Sequence, residues 1–402
     1  MDCEMTTIAL LHEQIDNLAD TFAEETIQIR RALHKIPEPG YEEFKTAAFI
    51  EKYLHQFDLA VTTGIATTGI TALLDTKRSG PTVMLRADMD ALPIQEDWNN
   101  AYASEHEGYM HACGHDGHMA ILLASIKIFT QLSVHLCGRI LFVFQPAEEG
   151  GGGARQMIES GLLEKYSVEC CIAAHIWPPL SSGKVGVRCG PTMGAMSRFK
   201  FTIHGKGGHA AAPHESIDAL DTGIQLVNAL QRIVSRHINP FTPTVVSVSQ
   251  FNAGTAPNIL PETAEIAGTL RTFDTEIRAS WEQRLHTIAK GVCDSMGAAY
   301  TLEYGERYPP VVNDRTICSF VQRAAEGTVG EENVVEIEPT LGSEDISFFF
   351  NKVPGCYYFL GAGDSSKEYT GQLHSPHFVL DESILPIGVK VLCRAACGLL
   401  SK

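Results

Sequence analysis

The sequence of 402 residues contains no long hydrophobic run. Its apolar runs, such as residues 140–144, are far shorter than the roughly 20 residues that a membrane-spanning helix requires. The first residues also lack the cationic start, the sustained apolar run and the small-residue cleavage site of a signal peptide. We therefore expect a cytoplasmic protein without a membrane span.

Basic charge and paired cysteines are also scarce. The formal net charge is −17, and the sequence contains no block of Lys and Arg residues. Both observations argue against a nucleic-acid partner. The 11 cysteines are an odd number scattered through a large chain, so reduced thiols are favoured over a disulfide framework. The remaining composition, 44% hydrophobic and 20% charged, is that of a globular protein long enough for two or three domains.

What the sequence does contain is a dense cluster of metal-binding side chains, HACGHDGHMA, at residues 111–120. It offers three imidazoles, the thiol of Cys113 and the carboxylate of Asp116. Neutral imidazole and thiolate favour zinc, manganese, cobalt or nickel over magnesium and calcium. Gly114 permits a tight turn that aims Cys113 and His115 at one point. A polar loop with coincidental histidines stays an alternative, because one short cluster does not supply a whole ligand set.

Further candidate groups stand at the ends of predicted strands. Asp88 and Asp90 follow one strand, and Glu149 follows a second. His175 ends a third. Because strand ends in α/β sheets open onto crevices, these side chains would lie along one edge of a sheet. Each signal is weak alone, since capped turns and structural histidines give the same pattern.

Glu148 and Glu149 are adjacent, so their side chains do not easily point the same way. We therefore expect one glutamate to bind a metal and the other to face the substrate, an arrangement that suits metal-assisted hydrolysis. A solvated acidic turn is one alternative. A phosphate cradle formed by glycines 150–153 is another, but no GK[ST] follows it.

Between residues 190 and 303 the pattern of predicted elements changes. Their order is βαββαβ, the ferredoxin-like arrangement, which we interpret as an inserted domain. It carries the glycine-rich segment HGKGGHAAAPH with His209, and then Asn258 and Arg271. A glycine-rich hairpin with a buried histidine, and ordinary polar surface residues, are the alternatives. After residue 303 an α/β pattern resumes.

Six motifs occur in one order along nearly the whole chain: ADMDALP, HACGHDGH, QPAEEGGGGA, AHIWP, HGKGGHAAAPH and HSPHF. Together they resemble the metal-dependent amidohydrolase and peptidase family that contains carboxypeptidase G, aminoacylase, hippurate hydrolase and the plant auxin-conjugate hydrolases. The cysteine in HACGHD is similar to the hippurate and auxin-conjugate branch rather than to the aspartate-bridged peptidases. The resemblance implies an α/β fold: a zinc-peptidase-like α/β/α catalytic domain with a mixed sheet (residues 1–189 and 304–402) and an inserted ferredoxin-like lid and dimerisation domain (residues 190–303).

The resemblance also implies roles for individual residues. Two divalent ions (Mn, Zn, Ni or Co) would be held by five side chains, with the Cys113 thiolate between the ions: Cys113, His115, Glu149, His175 and His374. Glu148 would be the base that takes a proton from the attacking water and passes it to the departing amine. His209 would reach the developing oxyanion, often from the neighbouring subunit. Asn258 and Arg271 would receive the substrate carboxylate.

The chain departs from its relatives at a few positions. Asp88 stands where many relatives have a histidine ligand, whereas Asp90 keeps the family's aspartate, which in relatives steadies a ligand from behind. We therefore place Asp90 with Glu148 in the catalytic set. Asp116 is assigned a supporting role because Cys113 takes the bridging role. His377 is the alternative to His374 as a ligand, whereas His111 and His118 are expected to be structural or to support the ligands.

These inferences predict hydrolysis of N-acyl amino acids, with hippurate-like substrates, to a carboxylic acid and a free amino acid. The expected enzyme is a cytoplasmic homodimer or homotetramer with no nucleic-acid or membrane partner. A dipeptidase or exopeptidase that uses the same centre is the alternative. A binding protein that has lost catalysis is disfavoured because Glu148 and all five proposed ligands are present. A thiol redox protein is disfavoured because Cys113 has no C-x-x-C partner.

Overall fold

The computed structural model describes residues 2–97, 101–363 and 371–400, and of residues 2–7 only the backbone. The chain forms two compact units. The large unit comprises Met1–Thr192, Val312–Glu338 and Asp345–Lys402. The small unit comprises Met193–Val311 and Pro339–Glu344. The division into a catalytic domain and an inserted domain, with the roles that these names imply, stays a prediction.

Helices and strands make up most of both units. The α-helices are α1 (Asp2–Thr21), α2 (Ala23–His34), α3 (Phe44–Leu54), α4 (His115–Leu132), α5 (Gly153–Glu159), α6 (Leu162–Tyr166), α7 (Ala219–His237), α8 (Thr275–Met296), α9 (Arg315–Val329), α10 (Ser347–Phe350) and α11 (Leu385–Leu400). The strands are β1 (Ala60–Ile65), β2 (Gly69–Asp75), β3 (Thr82–Asp88), β4 (Arg139–Gln145), β5 (Cys170–Ser181), β6 (Val185–Val187), β7 (Gly190–Met193), β8 (Ala195–His204), β9 (Gly208–His209), β10 (Thr244–Ala253), β11 (Ile259–Leu260), β12 (Thr263–Thr272), β13 (Ala299–Tyr308), β14 (Val311–Asn313), β15 (Val334–Glu336) and β16 (Gly355–Gly363).

A mixed sheet forms the middle of the large unit. Its described strands follow the order β1-β2-β4-β3-β5-β16-β6-β15. The central strands β4, β3, β5 and β16 run parallel to one another. Every residue of β3 is buried, as expected of a parallel strand covered on both faces. The predicted α/β fold with a mixed sheet is confirmed, and the carboxyl ends of the central strands meet at one edge.

Two helices of the large unit are long and apolar enough, by length and composition alone, to cross a membrane. They are the stretches His115–His135, which includes α4, and Glu382–Leu400, which includes α11. In these stretches 72% and 67% of the most apolar window is buried inside the protein. Because α4 and α11 pack against each other in the core, burial accounts for their composition.

The small unit, which is described throughout, contains an antiparallel sheet with the order β10-β12-β8-β13. The long elements β8, α7, β10, β12, α8 and β13 occur in this order along the chain, with the two-residue strands β9 and β11 between them, so the predicted βαββαβ order is observed. Asp218 and Asp274 begin α7 and α8, because each carboxylate accepts hydrogen bonds from two backbone N–H groups of the first turn. The helices pack on the sheet around Trp281, which is 1% exposed.

Candidate metal centre

The register of the central strands brings the predicted site residues level with one another. Asp88 pairs with Gln145, the last residue of β4, so the strand ends of β3 and β4 coincide. On the other side of β3, pairing with β5 stops at Arg86 and Ala173. His175 lies two residues farther on, level with Asp88. The prediction that a strand ends at His175 was wrong, because β5 continues to Ser181 along β16.

The HACGHDGH segment reaches this edge through a tight turn at the start of α4. Gly114 has φ 82°, a left-handed conformation that glycine adopts without steric cost. The next residue, His115, begins the helix, and its Nδ1–H donates to the Asp90 carbonyl over 2.8 Å. This bond leaves Nε2 as the nitrogen that can bind a metal when the ring is neutral. Nε2 is buried and has no hydrogen-bond partner among the described residues, as expected of a metal ligand.

Cys113 belongs to two separate groups of potential ligands. In each of them the ligand atoms lie within 4.8 Å of one another: Cys113, His115 and His175 in one, and Cys113, Glu149 and His374 in the other. The Nε2 atom of His175 lies 3.5 Å from the Cys113 sulfur, and its Nδ1–H donates to the Ile176 carbonyl over 2.6 Å. The structure therefore brings all five predicted ligands together in two donor groups that share one thiol.

The electrostatics of these groups favour cations. Burial, and then the charges of Glu149 and Glu148, raise the pKa of the Cys113 thiol well above its ordinary value. Burial works against a charged ring at His115, but Asp88 and Asp90 outweigh it and raise the pKa of His115 to about 10. The shift at His115, and the contribution of the two glutamates to the shift at Cys113, indicate a negative potential that divalent cations would neutralise. Burial lowers the pKa of His175, so this ring is neutral, the form that binds metals.

The adjacent glutamates make different contacts. Asp90 accepts hydrogen bonds from both of their backbone N–H groups, from Glu148 over 3.0 Å and from Glu149 over 2.9 Å. The Oε1 atom of Glu149 lies 3.1 Å from Nε2 of His374. Oε1 of Glu148 instead accepts from the Asp345 N–H over 3.3 Å. Glu149 therefore shares a donor group with Cys113 and His374. Glu148 lies in another group, with His115 and Glu149, and also accepts the Asp345 N–H.

Two further residues of the motif region hold each other. The Nδ1 atom of His118 lies 2.6 Å from Oδ1 of Asp88, and its Nε2 accepts from the Ile176 N–H over 2.9 Å. Both ring nitrogens of His118 are thus engaged. Arg86 donates to the other oxygen of Asp88 over 2.6 Å. The ligand atoms of Asp88 and His118 lie within 4.8 Å of one another and of one from His115, and both side chains are held by further hydrogen bonds.

Asp116 supports the start of α4. Its Oδ2 lies 2.7 Å from Nε of Arg30 and 2.8 Å from Nδ1 of His34, and all three side chains are buried. Burial disfavours the charged carboxylate, but Arg30 and His34 overcome this and lower the pKa of Asp116. His377, in contrast, is half exposed and lies 3.7 Å from Asp97.

Several supporting residues escaped the sequence analysis. They contact the site residues or the segment that carries the two glutamates, and all are buried: Arg30, His34, Glu43, Arg86 and Asp345. Asp345 accepts hydrogen bonds from Arg86, from Gln145 and from the Ala154 N–H. The only sequence signal for such residues is a charged side chain in an otherwise apolar stretch.

The three predicted substrate contacts lie in the small unit. The β9 and β11 strands pair so that His209 faces Ile259, and the Asn258 carbonyl accepts from the Ala210 N–H over 3.1 Å. His209 and Asn258 thus lie together, at an open cleft of about 730 Å³. Arg271 lies elsewhere, on β12, and donates to the Ser343 hydroxyl over 2.8 Å. Burial and the charge of Arg198 lower the pKa of Arg271.

Comparison with known proteins places this site in a family. Residues 84–397 match the family described as peptidase family M20/M25/M40. An N-acyl-L-amino acid amidohydrolase of Geobacillus stearothermophilus is 45% identical over 302 residues, 75% of this chain and 81% of the relative. The IAA-amino acid hydrolase ILR1-like 4 of Arabidopsis thaliana is 36% identical over 374 residues, 92% of this chain and 84% of the relative.

A solved structure extends the likeness to the fold. It is a Bacillus subtilis protein described as a dinuclear metal binding peptidase of the M20 family. The TM-score is 0.81 at 32% sequence identity, and the match covers 95% of this chain and 99% of the other. The resemblance inferred from the six motifs is thereby confirmed.

Proposed function

The chain belongs to peptidase family M20/M25/M40, and from this premise we propose that it hydrolyses N-acyl amino acids at the amide bond, releasing a carboxylic acid and a free amino acid. The observation that carries the proposal is the Cys113 thiol shared by two groups of metal-binding side chains. Thiol, imidazole and carboxylate in one negative site form a donor set suited to borderline divalent metals.

We propose that two ions bind there. Cys113, His115 and His175 would hold one, and Cys113, Glu149 and His374 the other. The buried Nε2 of His115, which has no hydrogen-bond partner in the described part of the chain, supports this assignment. When bound, such ions supply Lewis acidity that polarises the amide carbonyl and makes water more acidic. Manganese, zinc, nickel and cobalt all suit these ligands.

Glu148 is the proposed base. Its Oε1 accepts a hydrogen bond from the Asp345 N–H, which orients the carboxylate, and the carboxylate would take a proton from the attacking water. The same carboxyl then gives this proton to the departing amine nitrogen, so Glu148 ends the cycle in the charged state in which it began. Asp90 holds the backbone from which Glu148 projects, and it acts through that backbone.

Recognition of the amino-acid half is assigned to the small unit. Arg271 offers a planar guanidinium that binds a carboxylate at two points, and Asn258 offers an amide for the same group. His209 is proposed to stabilise the charge that develops on the amide oxygen. The small unit would act as a lid and as the contact of a homodimer or homotetramer, in the cytoplasm.

A dipeptidase or exopeptidase reaction is the second candidate. The relative with a dinuclear metal site is described as a peptidase, and the same donor groups and base would serve a peptide bond. The two candidates differ only in the acyl half of the substrate.

A substrate screen with metal analysis tests the proposal. We expect turnover of benzoyl-glycine and other N-acyl amino acids above that of a dipeptide panel, with about two metal ions per chain by elemental analysis. Chelation should stop hydrolysis, and adding the metal back should restore it. Faster turnover of dipeptides would establish the second candidate. Activity that survives complete metal removal would contradict both.

A further inference from the structure

Three successive backbone N–H groups next to the proposed base donate to buried carboxylates. The Ala147 N–H donates to Oε1 of Glu43 over 2.8 Å. The N–H groups of Glu148 and Glu149 donate to the two oxygens of Asp90. Two acids therefore hold the segment that carries Glu148 and Glu149. Asp90 belongs to the ADMDALP motif, whereas Glu43 lies outside the six motifs.

The clamped segment contains a sharp turn. Ala147 has φ 51°, in the left-handed region that residues with a Cβ disfavour. The turn is also crowded: a Cβ on Gly40 would lie 2.8 Å from the Ala147 methyl, and one on Gly151 would lie 2.6 Å from it. A non-glycine residue keeps such a conformation only where its surroundings hold it.

Glu43 is built to hold this turn. Its carboxylate is fully buried just before α3, and its second oxygen accepts from the Thr68 hydroxyl over 2.5 Å. The Thr68 bond orients the carboxylate so that the first oxygen faces Ala147. Burial raises the pKa of Glu43 to about 7, and either protonation state retains an oxygen that can accept the Ala147 N–H.

We propose that Glu43 is a positioning residue for catalysis: by holding the Ala147 N–H, it fixes the left-handed turn that separates the directions of Glu148 and Glu149. This proposal rests on the proposed function, since it assigns Glu43 an effect on the base. Without Glu43, Ala147 can relax toward an ordinary backbone conformation, and the side chain of Glu148 then changes direction while its N–H stays bonded to Asp90. Asp90 still holds the following two N–H groups, so the segment and the proposed ligand Glu149 stay in place.

The same stretch of chain offers a matched control. Glu38 is also a buried acid, 6% exposed, and its Oε2 accepts from the N–H groups of Lys45 and Thr46 and from the Thr46 hydroxyl. Replacing either acid removes a buried acceptor for a backbone N–H and a threonine hydroxyl. The Glu43 carboxylate, unlike that of Glu38, bonds the segment of the base.

The experiment compares Glu43→Met, Glu43→Gln, Thr68→Val and Glu38→Met with the unaltered holoenzyme. Glu43→Met keeps the volume and removes the acceptor, and we expect kcat per metal-loaded enzyme to fall about tenfold to a hundredfold with KM within about twofold. Glu43→Gln restores an acceptor oxygen and should lie within about threefold of the unaltered kcat. Thr68→Val, which leaves Glu43 in place but free to rotate, should lower kcat by about threefold. Glu38→Met should leave kcat unchanged.

A second measurement does not depend on turnover. Hydrogen exchange of the Ala147 amide, followed by NMR, should accelerate in Glu43→Met and Thr68→Val but not in Glu43→Gln or Glu38→Met. Metal content should be the same in all variants. If Glu43→Met fails to fold, Thr68→Val carries the test.

The proposal is overturned if Glu43→Met, or Thr68→Val in its place, has the kcat and Ala147 exchange of the unaltered enzyme. Equal losses of kcat in Glu43→Met and Glu38→Met would also overturn it, because they would show a general effect on folding. Failure of the proposed function looks different. In that case the unaltered holoenzyme hydrolyses no N-acyl amino acid, while the exchange pattern at Ala147 still follows the Glu43 acceptor.

Discussion

The proposed site residues of the two units are held in different ways. In the large unit the ring nitrogens of His115 and His175 are fixed by backbone carbonyls, and both side chains are buried. In the small unit His209 and Asn258 are exposed, and His209 accepts one local hydrogen bond, from the Ala211 N–H. His115 and His175 are thus immobilised before substrate arrives, whereas His209 and Asn258 are left open to solvent. Changes at the proposed base and its supports in the large unit should therefore act on kcat, and changes at the residues proposed to bind the substrate carboxylate in the small unit should act on KM.

The largest effect is expected for Glu148→Gln. The amide has the shape of the carboxylate but cannot accept the proton of water, so we expect kcat to fall about 10³-fold. Metal content by elemental analysis should not change, because the donor groups lie on other residues. Glu149→Gln is the matched control, and it should lose metal instead. A Glu148→Gln enzyme with near-normal turnover would remove the base assignment.

An intermediate effect is expected for Asp90→Asn. The carboxylate accepts two backbone N–H groups, whereas an asparagine has one acceptor oxygen and turns its NH₂ group toward the second donor. We expect kcat to fall about 10-fold to 100-fold, as for other residues that orient a metal site from outside. The measurement is steady-state kinetics on enzyme checked for metal content. If the kcat of Asp90→Asn equals that of the unaltered enzyme within experimental error, the backbone of Glu148 and Glu149 keeps its conformation without Asp90.

The smallest effect is expected in the small unit, for Arg271→Lys. An ammonium keeps the charge but gives up the second parallel hydrogen bond to the substrate carboxylate, so KM should rise about tenfold with kcat little changed. Arg198→Lys is the control, because Arg198 lies nearby and pairs with Glu306. A lower kcat with an unchanged KM in Arg271→Lys would contradict the expectation that this residue of the small unit acts on KM.

The gathering of the proposed donor residues was predictable because part of the signal is local. Cys113, Gly114 and His115 form one turn and helix start, and the strand ends at Asp88 and Gln145 coincide through pairing of adjacent parallel strands. Alternation and periodicity likewise predicted the βαββαβ order of the small unit, since each element there has one buried face.

The supporting residues could not be predicted, because their meaning depends on partners far away in sequence. Arg30 and Asp116, or Glu43 and Ala147, come together only when helices and strands have packed. The end of β5 was misplaced for a related reason. The apolar run stops near His175, but backbone pairing with β16 carries the strand on to Ser181 regardless of side-chain character.

The position of His374 has a consequence for biosynthesis. Its N–H donates to the Ala112 carbonyl, which ties the last proposed donor to the turn that carries Cys113. During translation, however, the other four proposed donors are synthesised well before His374, because the whole small unit is synthesised between His175 and His374. Binding of both proposed ions would therefore be complete only after His374 has been made, whereas the proposed group of Cys113, His115 and His175 is complete earlier.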